Sequence, residues 1–182
     1  EVLRGNGSVQ YGSDAMGGTV HALSKNLLFS DQAELNGKIH LRWGSHGMEK
    51  TLRPELTTSG KRLAFTGGLT WRDFGDLKGG KETGFQHPTG YKEMDFDLKG
   101  KLRIGNQSAL TLLYQKVNQH HVPTYHKIIL ENFGIHETEP QQRQLAYAKW
   151  DGNFNLNILR SWKLILSRQI SIEGRKLQKN GS

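Results

Sequence analysis

The stretch YKEMDFDLKGKLRIG, residues 91–105, decides the fold class of this chain. Met94, Phe96, Leu98, Leu102 and Ile104 fall on one parity, and Asp95, Asp97, Lys99, Lys101 and Arg103 on the other. Successive side chains of a β-strand point to opposite faces, so this segment has one apolar and one densely charged face. Helical i, i+3, i+4 spacing fits it poorly. The alternation recurs upstream. ELNGKIHLRWGS sets Leu35, Ile39, Leu41 and Trp43 against Lys38, His40 and Arg42. KRLAFTGGLTWRDF sets Leu63, Phe65, Leu69 and Trp71 against Arg62, Thr66, Thr70 and Arg72. Weaker cases follow at Leu110, Leu112 and Tyr114 and at Trp162, Leu164 and Leu166. Trp150 breaks parity with Leu145 and Tyr147, which leaves the faces of that strand open.

These strands run about ten residues, against about 5–6 in soluble domains. About ten is what a tilted membrane-crossing strand needs. Ser59-Gly60-Lys61, Gly105-Asn106-Gln107 and Asp151-Gly152-Asn153 read as tight turns, and the polar stretches 73–90 and 118–140 as long loops. Alternating short and long connections mark an outer-membrane barrel, with short periplasmic turns and long extracellular loops. A soluble sandwich has no reason to sort its loops by length. Only the connection at 44–47 is short where a long one is expected. Trp43, Trp71 and Tyr91 fall at strand ends beside the expected outside loops and Trp162 near an expected inside turn, as interfacial aromatic girdles do. The expected fold is all-β: an antiparallel transmembrane β-barrel segment of about seven strands.

Composition agrees. Among 182 residues, 4 Trp, 7 Phe and 5 Tyr are too many aromatics for a disordered chain, although mean hydropathy is −0.64. The net charge of +8 is scattered rather than gathered in a basic run. There are no cysteines, hence no disulfide framework or thiolate metal site. No run approaches the ~18 apolar residues of a membrane helix. Glu1 enters in mid-pattern, so the natural N-terminus is expected to lie further upstream.

The glycine-rich opening, RGNGSVQYGSDAMGGTVHALSK (residues 4–25), invites comparison with a phosphate-binding loop. Gly12 to Thr19 has the right length, but Gly18 stands where the phosphate-reaching lysine belongs. The segment instead resembles the end of the plug domain of TonB-dependent outer-membrane receptors, approximately E-V-x-R-G-P-x-S-x-L-Y-G-S-x-A-x-G-G-x-I-x-I-x-T-K. Glu1, Val2, Arg4, Gly5, Ser8, Tyr11, Gly12, Ser13, Ala15, Gly17, Gly18, Val20 and Lys25 match in register. Asn6, Gln10, His21, Ala22 and Ser24 depart from the pattern, and none of these departures removes a glycine.

The resemblance implies three parts: the C-terminal part of an α+β plug domain at 1–25, a plug-to-barrel linker at 26–33, and the first strands of a barrel of about 22 strands at 34–182. A short helical stretch is expected around residues 8–11. The resemblance also implies a role. Such a receptor takes up a scarce solute (ferric siderophore, haem, cobalamin or similar) across the outer membrane of a Gram-negative bacterium. Its partners are outer-membrane lipid, a small-molecule ligand such as a metal chelate, and a TonB-type energy-transducing complex that engages the protein upstream of this chain. Arg4, Gly5, Tyr11, Gly12, Gly17 and Gly18 would belong to the gating plug, with Arg4 at the plug–wall interface or, alternatively, in an exposed loop.

Phe85, His87, Tyr91, His120, His121, Tyr125 and His126 are the loop residues that could face cargo. The adjacent His120 and His121 lack the spacing of a built metal site, so none is assigned, nor is any cofactor. No Ser/His/Asp or paired-carboxylate spacing suggests an enzyme. The cationic excess among Lys38, Arg42, Arg62, Arg72, Lys99, Lys101 and Arg103 suits a polar lumen, and an anionic cargo or plug contacts alike. The alternative is a soluble basic β-domain binding nucleic acid or glycan; the barrel reading has no nucleic-acid partner.

Overall fold

The computed structural model describes residues 2–4, 18–20, 24–154 and 160–181. The elements in chain order are β1 (Val2–Arg4), β2 (Gly18–Val20), β3 (Glu34–Trp43), β4 (Lys50–Ser59), β5 (Leu63–Phe74), β6 (Leu77–Lys78), β7 (Phe85–Gln86), β8 (Tyr91–Ile104), β9 (Ser108–His120), β10 (Val122–Pro123), the helix α1 (Tyr125–Leu130), β11 (Phe133–Asn153) and β12 (Ser161–Lys179). The strands β1 and β2 pair antiparallel across the glycine-rich segment, with Arg4 opposite Gly18. Gly5, Tyr11, Gly12 and Gly17, and the helical stretch expected around 8–11, lie outside the described residues.

From Glu34 onward the chain builds one antiparallel meander of seven long strands, ordered β3-β4-β5-β8-β9-β11-β12. The short β10 extends the β9 side of β11. The all-β antiparallel expectation therefore holds. Among the described residues the sheet does not close on itself, and β3 and β12 are its two edges.

The connections sort by end. One end carries the 44–49 turn, the 75–90 arm with its β6–β7 pair, and the 121–132 arm with β10 and α1. The other carries 60–62, 105–107 and 154–160. Two expectations need correction. Asp151-Gly152-Asn153 is not a turn: these residues pair with Lys163, Trp162 and Ser161, and the connection falls just beyond them. Gly152 is there for close approach, because a Cβ would lie 2.9 Å from Ser108 Cβ and from Trp162 Nε1. The loop expected at 118–140 is only 121–132, because β9 and β11 run on as polar paired strands beyond the alternating region. Sequence reading also misses β4, whose pattern is interrupted by Pro54. Its pairing to β5 has no bridge between Leu52↔Trp71 and Glu55↔Gly68, where the proline sits.

Register fixes the faces. Leu35, Thr58, Phe65, Gly100, Leu112, Ala148 and Leu166 form one row across the sheet, and the rows two residues away carry Leu56, Leu98, Tyr114, Leu63, Leu102, Leu110 and Leu164 on the same side. Trp150 stands in the row of Leu110 and Leu164, on the apolar face, while Leu145 and Tyr147 turn to the polar face. That settles the strand whose sequence parity is ambiguous.

The burial is inverted relative to a water-soluble fold. Leu35, Ile39, Leu41 and Trp43 are 70–76% exposed. Apart from glycines, the buried positions of the sheet, Thr51, Ala64, Thr66, Thr70, Lys99, Thr111 and Leu113, belong to the other, mainly polar face. A detergent-solubilised chain should therefore show the slowest amide exchange in β5, β8 and β9, each flanked on both sides, and the fastest in β3 and the outer half of β12. Equal protection of both outer strands and the centre, by hydrogen-exchange mass spectrometry, would contradict open edges.

Candidate functional site: the polar face and the loop-bearing end

The polar face is organised by two arginines. Arg53 on β4 reaches across β5 to β8, where Nη1 donates to Asp97 Oδ1 at 2.6 Å and Nη2 to Asp97 Oδ2 at 3.1 Å. It also donates to Thr70 Oγ1 at 2.9 Å and Glu55 Oε2 at 3.0 Å. The reach depends on Gly68, where a Cβ would lie 2.5 Å from Nη2. One row towards the loop-bearing end, Arg72 pairs with Glu93 and Asp95. Gln119 Nε2 donates to the other Glu93 oxygen at 2.5 Å. Asp95 Oδ1 is buried with no partner among the described residues. Charge-assisted, fork-like pairs of this kind are stronger and more directional than neutral hydrogen bonds.

Segment 24–30 lies over this face. Lys99 Nζ donates to Ser24 Oγ at 2.8 Å and to the Lys25 carbonyl at 2.7 Å, and Lys101 Nζ to the Leu27 carbonyl at 3.1 Å. Phe29 sits under Lys101 and Arg103, with Arg103 Cζ 4.5 Å from its ring centre. Leu27 is buried, and the Ser30 amide donates to the Gly60 carbonyl at 3.2 Å. A hollow of about 440 Å³ remains between this segment, Arg53, Thr70, Asp95 and Leu113. Several of the cations that suit an anionic cargo or plug contacts alike are thus committed. Arg42 pairs with Glu49, Arg72 with two carboxylates, and Lys99 and Lys101 with the covering segment.

The seven loop residues singled out from sequence all lie at or beside one end of the sheet but not in one pocket. Phe85 is exposed, with Lys78 Nζ 5.6 Å from its ring centre. Tyr91 stacks on Phe74 at 4.7 Å, on the parity of the polar face, so it does not share the apolar face of Trp43 and Trp71 as the girdle expectation requires. His87 Nδ1 lies 2.7 Å from Asp76 Oδ2. His120 and His121 converge on Glu139, at 3.6 and 2.8 Å. Tyr125 begins α1 and His126 is exposed within it. Of the residues named for the plug, Arg4 and Gly18 are placed only as backbone partners in β1 and β2.

Sequence reading misses Arg53, Asp97 as its partner, and the acids Glu137 and Glu139. The clue to Arg53 is the alternation Thr51-Arg53-Glu55-Thr57 in TLRPELTTS, hidden by the proline between. The chain matches no family model, no curated protein and no solved structure.

Two outcomes follow from this geometry. Gly68→Ala should push Arg53 off Asp97 and destabilise the fold by about 1–3 kcal/mol, the range for leaving charged hydrogen-bonding groups unsatisfied. Because Asp97→Asn disrupts the same contact, the double variant should be markedly less than additive in a denaturation cycle; full additivity would mean the two are independent. The second concerns Asp76, whose carboxylate accepts the Thr89 amide at 2.7 Å and the Gly90 amide at 3.0 Å besides facing His87. These contacts, the Thr89 amide foremost, hold its pKa down to about 2. A depressed carboxylate stabilises above its unfolded value near 3.8 and loses that contribution as pH falls through about 2. Proteolysis within 77–87 should rise as pH drops across that window, and Asp76→Asn should give an arm that is cut readily throughout and flat with pH. Acid-independent cutting of the unmodified chain would refute the clamp.

Proposed function

We propose that this chain is part of the wall of an outer-membrane β-barrel of the TonB-dependent receptor class, with residues 26–33 leading from plug to wall along the lumenal face. The observation that carries this reading is the sorting of the two faces. One register sets an exposed apolar face, from Leu35, Ile39, Leu41 and Trp43 on β3 through Met94, Leu98 and Leu102 on β8 to Leu164, Leu166 and Ile172 on β12, against a face of ion pairs and hydrogen bonds around Arg53 and Arg72. Strands of outer-membrane barrels alternate apolar-out and polar-in in this way.

Band height fits as well. Met94 to Ile104 spans ten steps, about 33 Å of strand, and at a tilt of roughly 40° about 25 Å of membrane, the height of the apolar band in such barrels. An exposed apolar face of this extent is unusual for a soluble monomer. Its proposed neighbour is lipid, and that of the polar face a plug. On this reading the protein draws a scarce solute such as a metal chelate through the outer membrane of a Gram-negative bacterium, powered by a TonB-type complex. It catalyses no reaction. Phe85, His87, Tyr91, His120, His121, Tyr125 and His126 stand at the extracellular end.

The test compares faces at one height. Leu98→Arg puts a charge in mid-band and should cost about 2–4 kcal/mol of folding into vesicles. Gln115→Arg, on the polar face beside Asp97, should be mild. The readout is the folded fraction by heat-modifiable electrophoresis. Equal effects, or a chain that folds cooperatively in buffer without detergent, would defeat the barrel reading and favour a soluble β-domain binding nucleic acid or glycan.

A further inference from the structure

At the loop-bearing end, His121, Glu137 and Glu139 bring one imidazole nitrogen and two carboxylate oxygens within 4.8 Å of one another. His121 Nδ1 lies 3.1 Å from Glu137 Oε2 and 2.8 Å from Glu139 Oε2. We propose that these three side chains form a binding site for a borderline divalent transition metal of the zinc type. The proposal does not depend on the transport reading.

The backbone brings the three donors together. His121 follows β9 directly with φ +53, between β9 and β10, and its own amide donates to Glu139 Oε2 at 3.1 Å. Glu137 and Glu139 are two apart on β11 and so project to one side. The register to β12 shifts between Thr138 and Gln141, so Glu139 lies within the irregularity. Gly174 accommodates this irregularity, since a Cβ there would lie 2.5 Å from the Glu139 carbonyl oxygen and 2.7 Å from Pro140 Cδ. Bulges commonly re-aim a side chain in this way.

The donor set selects the ion. Calcium and magnesium take oxygen ligands, whereas an imidazole with two carboxylates suits zinc and its neighbours. Two ligands each about 2.1 Å from a tetrahedral ion sit roughly 3.4 Å apart. The His121–carboxylate separations are a little shorter, as expected where a hydrogen bond occupies the place of the metal. Only a small outward movement is required, on half-buried acids and an exposed histidine. Three protein ligands leave the fourth position open to water or another donor. The charges facing the cluster are His120, whose Nδ1 is 3.6 Å from Glu139 Oε1, and Lys176, whose Nζ is 3.5 Å from Glu139 Oε2. Lys176 is the competitor: its ammonium occupies a lone pair that the metal would take.

The full chain refolded in detergent, and its variants, are first matched by circular dichroism and then titrated with Zn²⁺ and Co²⁺ in a calorimeter. One ion should bind per chain, saturably. His121→Ala and Glu137→Gln should each weaken binding at least about tenfold, since even outer partners of metal ligands cost roughly 10–100-fold. Lys176→Ala should tighten it, which a merely structural ion-pair cluster would not do, and His46→Ala, outside the cluster, should change nothing. Ca²⁺ and Mg²⁺ should not bind. Failure of the folded chain to bind zinc or cobalt saturably, or equal binding by His121→Ala, would overturn the site. Should His121→Ala not fold, Glu137→Gln and Lys176→Ala decide.

Discussion

A one-residue slip anywhere in the meander would turn the Arg53, Arg72 and Lys99 side out and the leucine side in, because side-chain direction has a period of two. Everything else in the structure depends on that register not slipping. The polar face provides the lock. Arg53 on β4 is held by Thr70 on β5 and Asp97 on β8, so a single guanidinium spans three strands and is satisfied only when all three are in phase. Thr57 and Thr66 at 2.8 Å and the Arg72 cluster repeat the arrangement at other heights. A sheet held in phase chiefly by its apolar side would be less specific, since neighbouring leucines tolerate exchange.

The same network explains why Asp97 and Lys99 are not interchangeable polar fillers. Removing Asp97 leaves the half-buried Arg53 without its fork partner, and removing Lys99 releases two contacts to segment 24–30. On an ordinary exposed sheet face such residues would be solvated and nearly neutral to substitution. Here they are the more sheltered side of the sheet. Segment 24–30 is thus part of the polar network, because its Lys25 and Leu27 carbonyls accept from the Lys99 and Lys101 ammonium groups that it covers.

Much of this was open to reading from the sequence, for a definite reason. Where apolar and polar side chains are sorted to opposite faces of a sheet, every second residue is constrained, and β3, β5 and β8 carry that constraint in full. Legibility fails where the constraint lapses. Beyond the apolar band, β9 and β11 continue on backbone pairing alone, so 133–140 looks like loop although it is strand. Pro54 conceals β4 because a proline within a central strand argues against the strand, yet here it costs only local bridges to β5. Gly152 resembles a turn because glycine serves both turns and close packing. The site residues divide in the same way. The histidines stand out by type, but Glu137 and Glu139 acquire meaning only when pairing sets them opposite His121, 16 and 18 positions earlier in the chain.

Two edges remain. β3 and β12 each present one row of backbone donors and acceptors with no partner among the described residues. Soluble proteins blunt such edges with short strands, bulges, proline or inward charges. β3 has ten regular residues with none of these on its apolar parity, only Leu35, Gly37, Ile39, Leu41 and Trp43. β12 runs for nineteen residues. Long, flat, apolar edges are a liability in water and cannot exist unpaired in a bilayer, where each lone backbone group costs several kcal/mol. Both environments make the same demand, that the two edges be paired or covered. Register limits how a partner can do so, because a strand joining β3 or β12 out of phase by one residue would set its apolar side chains on the Arg53 face.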